Sequence, residues 1–156
     1  MKTLSPHDRA ARLVGSAPVR RMLAGLMLAV ATALPATAFA HGDVTPQAVD
    51  TSGLTRLEGK WRDSNPYRGN QRAIEIGASA FNQNCARCHG LGAVSGGIAP
   101  DLRYLEAGDT GDEWFKERVI NGAVREGVTY MPKFGDALGQ EALWAIRSWL
   151  ETVPAD

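Results

Sequence analysis

The segment Cys85-Ala86-Arg87-Cys88-His89 constrains the chain more than any other, because it places two thiols and an imidazole within five residues. These are the only two cysteines in the 156 residues. A disulfide between them would close a very small loop and would constrain the unfolded chain little. A thioredoxin-like redox pair is expected beside a βαβ pattern, which is absent here, and no second Cys/His pair exists to complete a structural zinc site.

Covalent attachment of a haem group is the interpretation that remains. Two thiols three residues apart can form thioethers with the two vinyl groups on one edge of a porphyrin, and the next residue can turn its imidazole onto the iron from the same side. We therefore predict that Cys85 and Cys88 attach one haem c and that His89 is an iron ligand.

Residues 1–40 are predicted to be a cleavable export signal. Basic residues precede the apolar run MLAGLMLAVATAL, and small residues that end in Ala38-Phe39-Ala40 follow it. The run from Met22 to Leu34 has thirteen residues, whereas a helix that spans a membrane needs about 20. We therefore expect a periplasmic protein that begins at His41 and has no membrane span after processing.

Removal of the signal changes the charge and the set of possible iron ligands. The totals of 17 basic and 17 acidic residues become 12 and 16, because residues 1–40 hold five Lys/Arg and one Asp, and the net charge becomes −4. A mildly acidic chain argues against nucleic acid as a partner. Three of the four methionines lie in the signal, so Met131 is the one thioether that remains.

Met131 is the predicted ligand on the opposite side of the iron from His89. A thioether stabilises reduced iron, which suits an electron carrier, whereas an open position suits gas binding or peroxide chemistry. Pro132 follows Met131 and prevents a continued helix, so it can hold the sulfur on a fixed loop. The alternatives are a methionine that fills a gap in the core, and His41 as a competing ligand.

The predicted fold class is all-α, with helices separated by glycine-rich loops and little strand signal. The first helix, Arg72 to Ala86, delivers Cys85, and the last runs from about Gln140 to Glu151. Their predicted apolar faces hold Ile74, Gly77, Ala78, Phe81 and Cys85 in the first helix, and Leu143, Ile146, Trp149 and Leu150 in the last.

A middle helix is predicted from a capping box in which Thr110 is the N-cap and Glu113 its partner, and Asn121-Gly122 ends this helix. Its expected buried side is formed by Trp114, Phe115, Val119 and Ile120.

Two single residues, Gly77 and Pro100, carry further predictions. Gly77 within a helix costs up to about 1 kcal/mol relative to alanine, so we expect another helix close to its backbone, with Trp149 as the contact next to Phe81. Pro100 follows His89 by eleven residues, and its carbonyl oxygen is predicted to accept the proton on the far nitrogen of the His89 ring.

Together, the motif CARCH, the Gly77/Phe81 spacing, Pro100-Asp101-Leu102 and Tyr130-Met131-Pro132 make residues 71–152 resemble a small soluble cytochrome c with one haem. This resemblance implies an all-helical fold wrapped round one covalent haem. It places Cys85 and Cys88 at the attachment positions of that family, and His89 and Met131 at its ligand positions. It also implies an electron carrier rather than an enzyme.

A narrower resemblance rests on HGDVTPQAVDTSGL, WRDSNPYRG and NQNCARCHGLGAVSGGIAPDL. These segments resemble exported cytochromes that accept electrons from alcohol dehydrogenases dependent on pyrroloquinoline quinone (PQQ). The resemblance implies transient redox partners, with such a dehydrogenase as donor and an oxidase or another cytochrome as acceptor, and we expect a monomer. The alternatives are a peroxidase-like or gas-binding protein with an open iron, and a structural haem domain of a larger complex.

The predicted domains are a signal peptide at 1–40, an N-terminal extension at 41–70 and a cytochrome c domain at 71–154. The extension has several helix breakers together with Trp61 and Tyr67, which could form a docking surface or, as the preferred interpretation, fix an extended arm onto the domain. Between Asp101 and Glu117 the chain is mainly acidic, as expected for a solvated face or for a surface that steers a basic partner.

Overall fold

The computed structural model describes residues 45–155, so the predicted export signal lies outside the described residues. The elements in chain order are α1 (Gln71–Asn84), α2 (Ala86–His89), α3 (Asp109–Asn121), β1 (Ala123–Arg125), β2 (Val128–Met131) and α4 (Gly135–Leu150). Single turns of 3-10 helix lie at Leu91–Ala93 and Leu102–Tyr104. Among the described residues, no helix is long and apolar enough to cross a membrane.

Helix α1 begins where the side chain of Asn70 accepts a hydrogen bond from the backbone of Ala73, as an N-cap does. Gly77 and Phe81 are buried, as predicted, whereas Ile74 and Ala78 lie at the edge of the buried face. The centre of that face is one position away from the predicted stripe and consists of Ala73, Ile76, Gly77, Ala80, Phe81 and Asn84.

Helices α1 and α4 cross at Gly77, where the two backbones are in direct contact. A Cβ atom added to Gly77 would overlap the carbonyl group of Ala145 in α4. The expected close approach is therefore confirmed, but the backbone of α4 makes it. Trp149 packs on Phe81 instead, with 4.7 Å between the ring centroids. This crossing fixes the middle of α1, about two turns before the CARCH segment.

The start and the buried side of α3 differ from the prediction. The helix begins at Asp109, and its N-cap position is Gly108, so the assignment of Thr110 as N-cap is wrong. The backbone N–H of Asp112 donates to the carbonyl of Gly108 at 3.0 Å, which closes the first turn one residue earlier than expected. Trp114 is 40% exposed and lies outside the core, whereas Phe115 and Val119 are buried.

A short β-hairpin, which the sequence analysis did not predict, connects α3 to α4. Strands β1 and β2 pair antiparallel, with Ala123 opposite Met131, and an irregularity in the pairing follows Ala123. The turn uses Glu126 and Gly127 with positive φ angles of 50° and 77°, the backbone that a tight hairpin needs. The fold remains mostly helical, and the hairpin determines where Met131 lies.

Helix α4 starts earlier than predicted but is regular only over the predicted part. Gly139 interrupts the helical backbone with a φ of 75°, so the regular helix runs from Gln140, as expected. Its apolar residues form the centre of the core, and Leu143, Trp144 and Ile146 are almost fully buried.

The arm, defined here as residues 45–70, contains no helix or strand and lies along α4. The side-chain amide of Gln140 donates to the carbonyl of Leu57 at 2.7 Å, and the carboxylate of Glu141 accepts from the N–H of Leu57 at 2.8 Å. Trp61 packs against Trp144 with 6.4 Å between the ring centroids, and Tyr67 is buried. The aromatic residues of the arm are therefore engaged in packing.

Buried charges fix the arm to α3 and α4. The carboxylate of Asp112 is fully buried and accepts from the guanidinium of Arg147 at 2.8 Å, from the guanidinium of Arg68 and from the backbone of Asn65 at 2.7 Å. Asp112 belongs to the acidic stretch that the sequence suggests is solvated. This residue is instead an internal anchor, because Arg147 of α4 is buried opposite it.

Candidate haem-binding site

The CARCH segment forms one helical turn at the end of α1. The backbone N–H of Cys85 still donates to the carbonyl of Phe81, at 2.8 Å, and Cys88 and His89 then donate to the carbonyl of Cys85 at 3.1 and 3.0 Å. The structure therefore brings Cys85, Cys88 and His89 together on a single turn, as the sequence predicts. Both thiols are free and partly buried.

The state of the Cys85 thiol argues against a reactive dithiol. Burial raises its pKa to about 12, and the neighbouring Cys88 adds to the shift. Because the thiolate is the reactive form, a thiol that stays protonated at neutral pH is a poor nucleophile in redox exchange. A redox-active dithiol is therefore disfavoured for this pair.

The His89 ring is buried, and one hydrogen bond fixes its tautomer. Its Nδ1 atom lies 2.9 Å from the carbonyl oxygen of Pro100, as predicted. A carbonyl oxygen can only accept, so the proton must be on Nδ1. In the neutral ring this bond leaves the lone pair on Nε2, the nitrogen that could then ligate a metal.

The backbone after His89 turns sharply and presents apolar side chains outward. A Cβ atom on Gly90, whose φ is 79°, would overlap the carbonyl of Val94, so the loop closes tightly behind the histidine. Leu91, Val94 and Ile98 are nevertheless exposed. Clustered exposed apolar side chains mark a surface that binds something else, either a large apolar cofactor or a partner.

Met131 ends β2, and three contacts fix the backbone at and around it. It pairs with Ala123 across the hairpin, its carbonyl lies so close to Gly122 that a Cβ there would overlap it, and Phe134 donates to the carbonyl of Val119 at 2.8 Å. Met131 is partly buried and packs against the same core as Cys85. Its role as an iron ligand stays a prediction, as do the roles of Cys85, Cys88 and His89.

Comparison with known proteins places this arrangement in a family. Residues 72–150 match the family model described as cytochrome C oxidase, cbb3-type, subunit III. The chain is also 65% identical, over 139 residues, to cytochrome c550 of Pseudomonas aeruginosa, an alignment that covers 86% of this chain and 96% of that protein. The chain belongs to the cytochrome c family. The family carries covalent haem c, and this cytochrome keeps the two cysteines and the histidine in the spacing that such attachment requires.

More distant relatives contain a similar segment within larger proteins. The quinohemoprotein alcohol dehydrogenase ADH IIB of Pseudomonas putida is 33% identical over 54% of this chain and 12% of its own length. The cbb3-type cytochrome c oxidase subunit FixP of Rhizobium meliloti is 36% identical over 47% of this chain and 27% of its own length. No solved structure matches the chain.

Family membership decides between the functional classes left open by the sequence. Cytochromes c of this kind are electron carriers, and the prediction of an electron carrier rather than an enzyme is confirmed by the similarity to cytochrome c550. The predicted covalent haem c is confirmed on the same ground. The tautomer of His89 provides the structural reason why the residues present fit such a group.

One polar residue at this site, Asn84, was not among the residues predicted from the sequence. Asn84, the last residue of α1, is buried next to Cys85 and makes hydrogen bonds to the arm. The sequence does mark Asn84 as unusual, because this polar residue lies three residues after Phe81 and four after Ala80, on the apolar face of the helix. A polar residue at such a position needs a partner, but the sequence could not tell which segment supplies it.

Proposed function

We propose that this cytochrome is a periplasmic one-electron carrier, which accepts electrons from a PQQ-dependent alcohol dehydrogenase and passes them towards a terminal oxidase. The bound haem iron supplies the redox chemistry by alternating between the ferrous and ferric states. The observation that carries the assignment of the site is the bond from His89 to the carbonyl of Pro100, which leaves Nε2 available as a ligand.

Each chain residue has a distinct task in this proposal. Cys85 and Cys88 would hold the haem through thioethers, and His89 would ligate its iron. Pro100 keeps the proton on Nδ1, which orients the ring and increases the basicity of Nε2. Met131 would supply a thioether ligand, which favours the reduced state. Its position is supported by the hairpin pairing and the tight contact at Gly122.

The proposed donor and acceptor are supported by the larger relatives. Two quinohemoprotein alcohol dehydrogenases of Pseudomonas putida contain a segment 33% and 38% identical to part of this chain. A similar segment occurs in a subunit of a cbb3-type oxidase. A haem domain of this type is thus compatible with both kinds of partner. Because a carrier must leave each partner readily, we expect small, short-lived interfaces and a monomer in solution.

We further propose that the arm serves the domain by packing rather than by docking. Leu57 and Tyr67 are buried, and Trp61 lies against Trp144, so these side chains offer little free surface. Exposed large apolar residues lie instead in the loop after His89, and others lie at Trp114 and in the hairpin. We infer that this loop contributes more to partner contact than the arm does.

Iron ligation is tested with Met131→Ala. If Met131 is the ligand, the oxidised variant loses the weak far-red absorption band of methionine-bound ferric haem, and its reduced form binds carbon monoxide rapidly. Tyr130→Phe is the control, because Tyr130 is 63% exposed on the same strand. A Met131→Ala spectrum equal to that of the unmodified protein would exclude the ligand. Rapid carbon monoxide binding by the unmodified protein would favour an open-iron protein.

The electron-transfer partners are tested by stopped-flow mixing. The oxidised cytochrome is mixed with a PQQ-dependent alcohol dehydrogenase and its alcohol, and haem reduction is followed by absorbance. The control omits the alcohol. Reduction should be fast and should depend on the alcohol. The reduced cytochrome is then mixed with a cbb3-type oxidase and oxygen. Reduction no faster than that by an unrelated dehydrogenase would contradict the proposed donor.

Export is tested by isolating the protein from the periplasmic fraction and sequencing its N-terminus. The proposal predicts a first residue of His41, because cleavage follows Ala38-Phe39-Ala40. A mature chain that retains residues 1–40 would show that the segment is an anchor instead.

A further inference from the structure

Asn84 joins the arm to the turn that carries the cysteines. Its Oδ1 atom accepts a hydrogen bond from the backbone N–H of Gln47 at 2.7 Å, and its Nδ2 donates to the carbonyl of the same residue at 3.2 Å. The side-chain amide thus pairs with both polar groups of one arm residue, as a neighbouring β-strand would. Nδ2 also donates to the carbonyl of Ala80 at 3.1 Å.

These bonds must form for Asn84 to be tolerated where it lies. Asn84 is only 5% exposed, and a buried amide without hydrogen-bond partners destabilises the folded state. The bond to Ala80 lies within α1, so it does not require the arm. The bonds to Gln47 come from a segment 37 residues away, so the arm completes the hydrogen bonding of this side chain.

The position of Asn84 links this pairing to the haem site. It is the last residue of α1 and directly precedes Cys85, whose carbonyl accepts the bonds from Cys88 and His89. A change in the direction in which the chain leaves α1 therefore moves the whole turn. The crossing of α1 and α4 holds Gly77, two helical turns earlier, and leaves the end of α1 to other contacts.

We propose that Asn84 is a positioning residue, which clamps the backbone of Gln47 and thereby fixes the orientation of the Cys85–His89 turn in the folded cytochrome. The arm segment 45–49 is then part of what determines the environment of the haem, although it has no residue among the predicted ligands. The inference rests on the proposed attachment of haem at Cys85 and Cys88.

The test compares three variants of the full-length, haem-loaded protein by nuclear magnetic resonance. Asn84→Leu keeps the approximate volume and removes every hydrogen bond of the amide. Gln47→Pro leaves Asn84 intact and removes the arm N–H; because Gln47 is exposed, this variant avoids the core. Gln47→Ala is the matched control, since it keeps both backbone groups that Asn84 binds.

Two readouts separate positioning of the haem from simple fastening of the arm. The backbone 15N order parameters at residues 48 and 49, measured in the reduced protein, should fall towards those of a flexible segment in Asn84→Leu and Gln47→Pro, because the arm loses its bonds at this point. The paramagnetically shifted haem methyl signals of the oxidised protein should also move in both variants. Gln47→Ala should match the unmodified protein in both readouts.

The inference is overturned if the order parameters at residues 48 and 49 fall while the haem methyl signals stay at their original positions. Asn84 would then fasten the arm without orienting the turn. Unchanged order parameters in both variants would likewise reject the clamp. Failure of the proposed haem attachment at Cys85 and Cys88 is recognised separately. The mass of the unmodified chain, measured first, would then show no covalent haem. If Asn84→Leu does not fold, the surface variant Gln47→Pro alone decides the outcome.

Discussion

Two regions of the molecule treat their apolar side chains in opposite ways. The arm, residues 45–70, buries Leu57 and Tyr67 to 8% and 4% exposure, although it contains no helix or strand. The loop at 90–104 follows the histidine, and its residues Leu91, Ile98 and Tyr104 are 77%, 79% and 64% exposed.

The difference shows which side chains find their packing and hydrogen-bond partners within the chain itself. The arm finds its partners in α4, through Gln140, Glu141 and Trp144, and in α3 through Asp112. The loop is ordered by Gly90 and by the bond that His89 donates to the carbonyl of Pro100, yet Leu91 and Ile98 face outward. The arm therefore stabilises the domain, whereas the loop is arranged for a ligand or a partner.

The largest effect that tests this comparison is expected from Asp112→Ala. Removing the carboxylate leaves Arg147 buried without its closest charged partner and also releases Arg68 and the backbone of Asn65 from Asp112. We expect the free energy of unfolding to fall by about 3 to 5 kcal/mol, measured by denaturant titration. Asp109→Ala is the control, because the Asp109 side chain is 83% exposed. A loss below about 1 kcal/mol would mean that the arm is only weakly attached.

A smaller loss is expected from Trp61→Ala, which tests the apolar contact of the arm. Trp61 is partly buried against Trp144 and lies beside Gly135. A fully buried tryptophan would cost more, so we expect a loss of about 2 kcal/mol in unfolding free energy. The rate of reduction by the dehydrogenase should stay unchanged. If the unfolding free energy is unchanged and reduction by the dehydrogenase slows, the arm is a docking surface. The roles assigned to the arm and the loop are then reversed.

Tyr67→Phe should have a moderate effect that depends on pH. The Tyr67 hydroxyl donates to the carbonyl of Thr55, and its loss should cost about 1 kcal/mol at pH 7. Burial, aided by the Glu141 carboxylate, raises the pKa of Tyr67 above its usual 10.0 in the folded state. The contribution of Tyr67 is therefore complete below pH 10 and is lost as the pH rises through the raised pKa.

The measurement for Tyr67 is denaturant unfolding of both proteins between pH 7 and 11. The stability difference between them should narrow above pH 10, because phenylalanine cannot ionise. A difference that stays constant to pH 11 would show that Tyr67 is solvated in the native protein.

The smallest effect on stability is expected in the loop, from Leu91→Ser and Ile98→Ser. Both side chains are mostly exposed, so we expect a change within about 0.5 kcal/mol in unfolding free energy. Reduction by the dehydrogenase should slow if the loop contacts that partner. A loss of unfolding free energy as large as that of Trp61→Ala would indicate instead that these side chains pack against the haem. The loop would then serve to bind the cofactor rather than a partner.

Much of the candidate site could be predicted because its determinants are close together in the chain. The spacing of Cys85, Cys88 and His89 is set within one turn, and Pro100 follows within the same loop. The regular part of α4 could also be predicted, because Leu143 and Ile146 repeat with helical periodicity. The start of α3 could not, because Gly108 replaces Thr110 as the N-cap position.

The sequence by itself determined the chemistry of the Cys85–His89 turn and the helical class of the fold. Both depend on residues that lie only a few positions apart. Only the tertiary structure decided the partners of Asn84 and Asp112, which lie 37 and 35 residues away in Gln47 and Arg147. A periodic pattern indicates which side of a helix is buried. It does not indicate which distant polar group lies opposite, because that depends on how the helices and the arm pack.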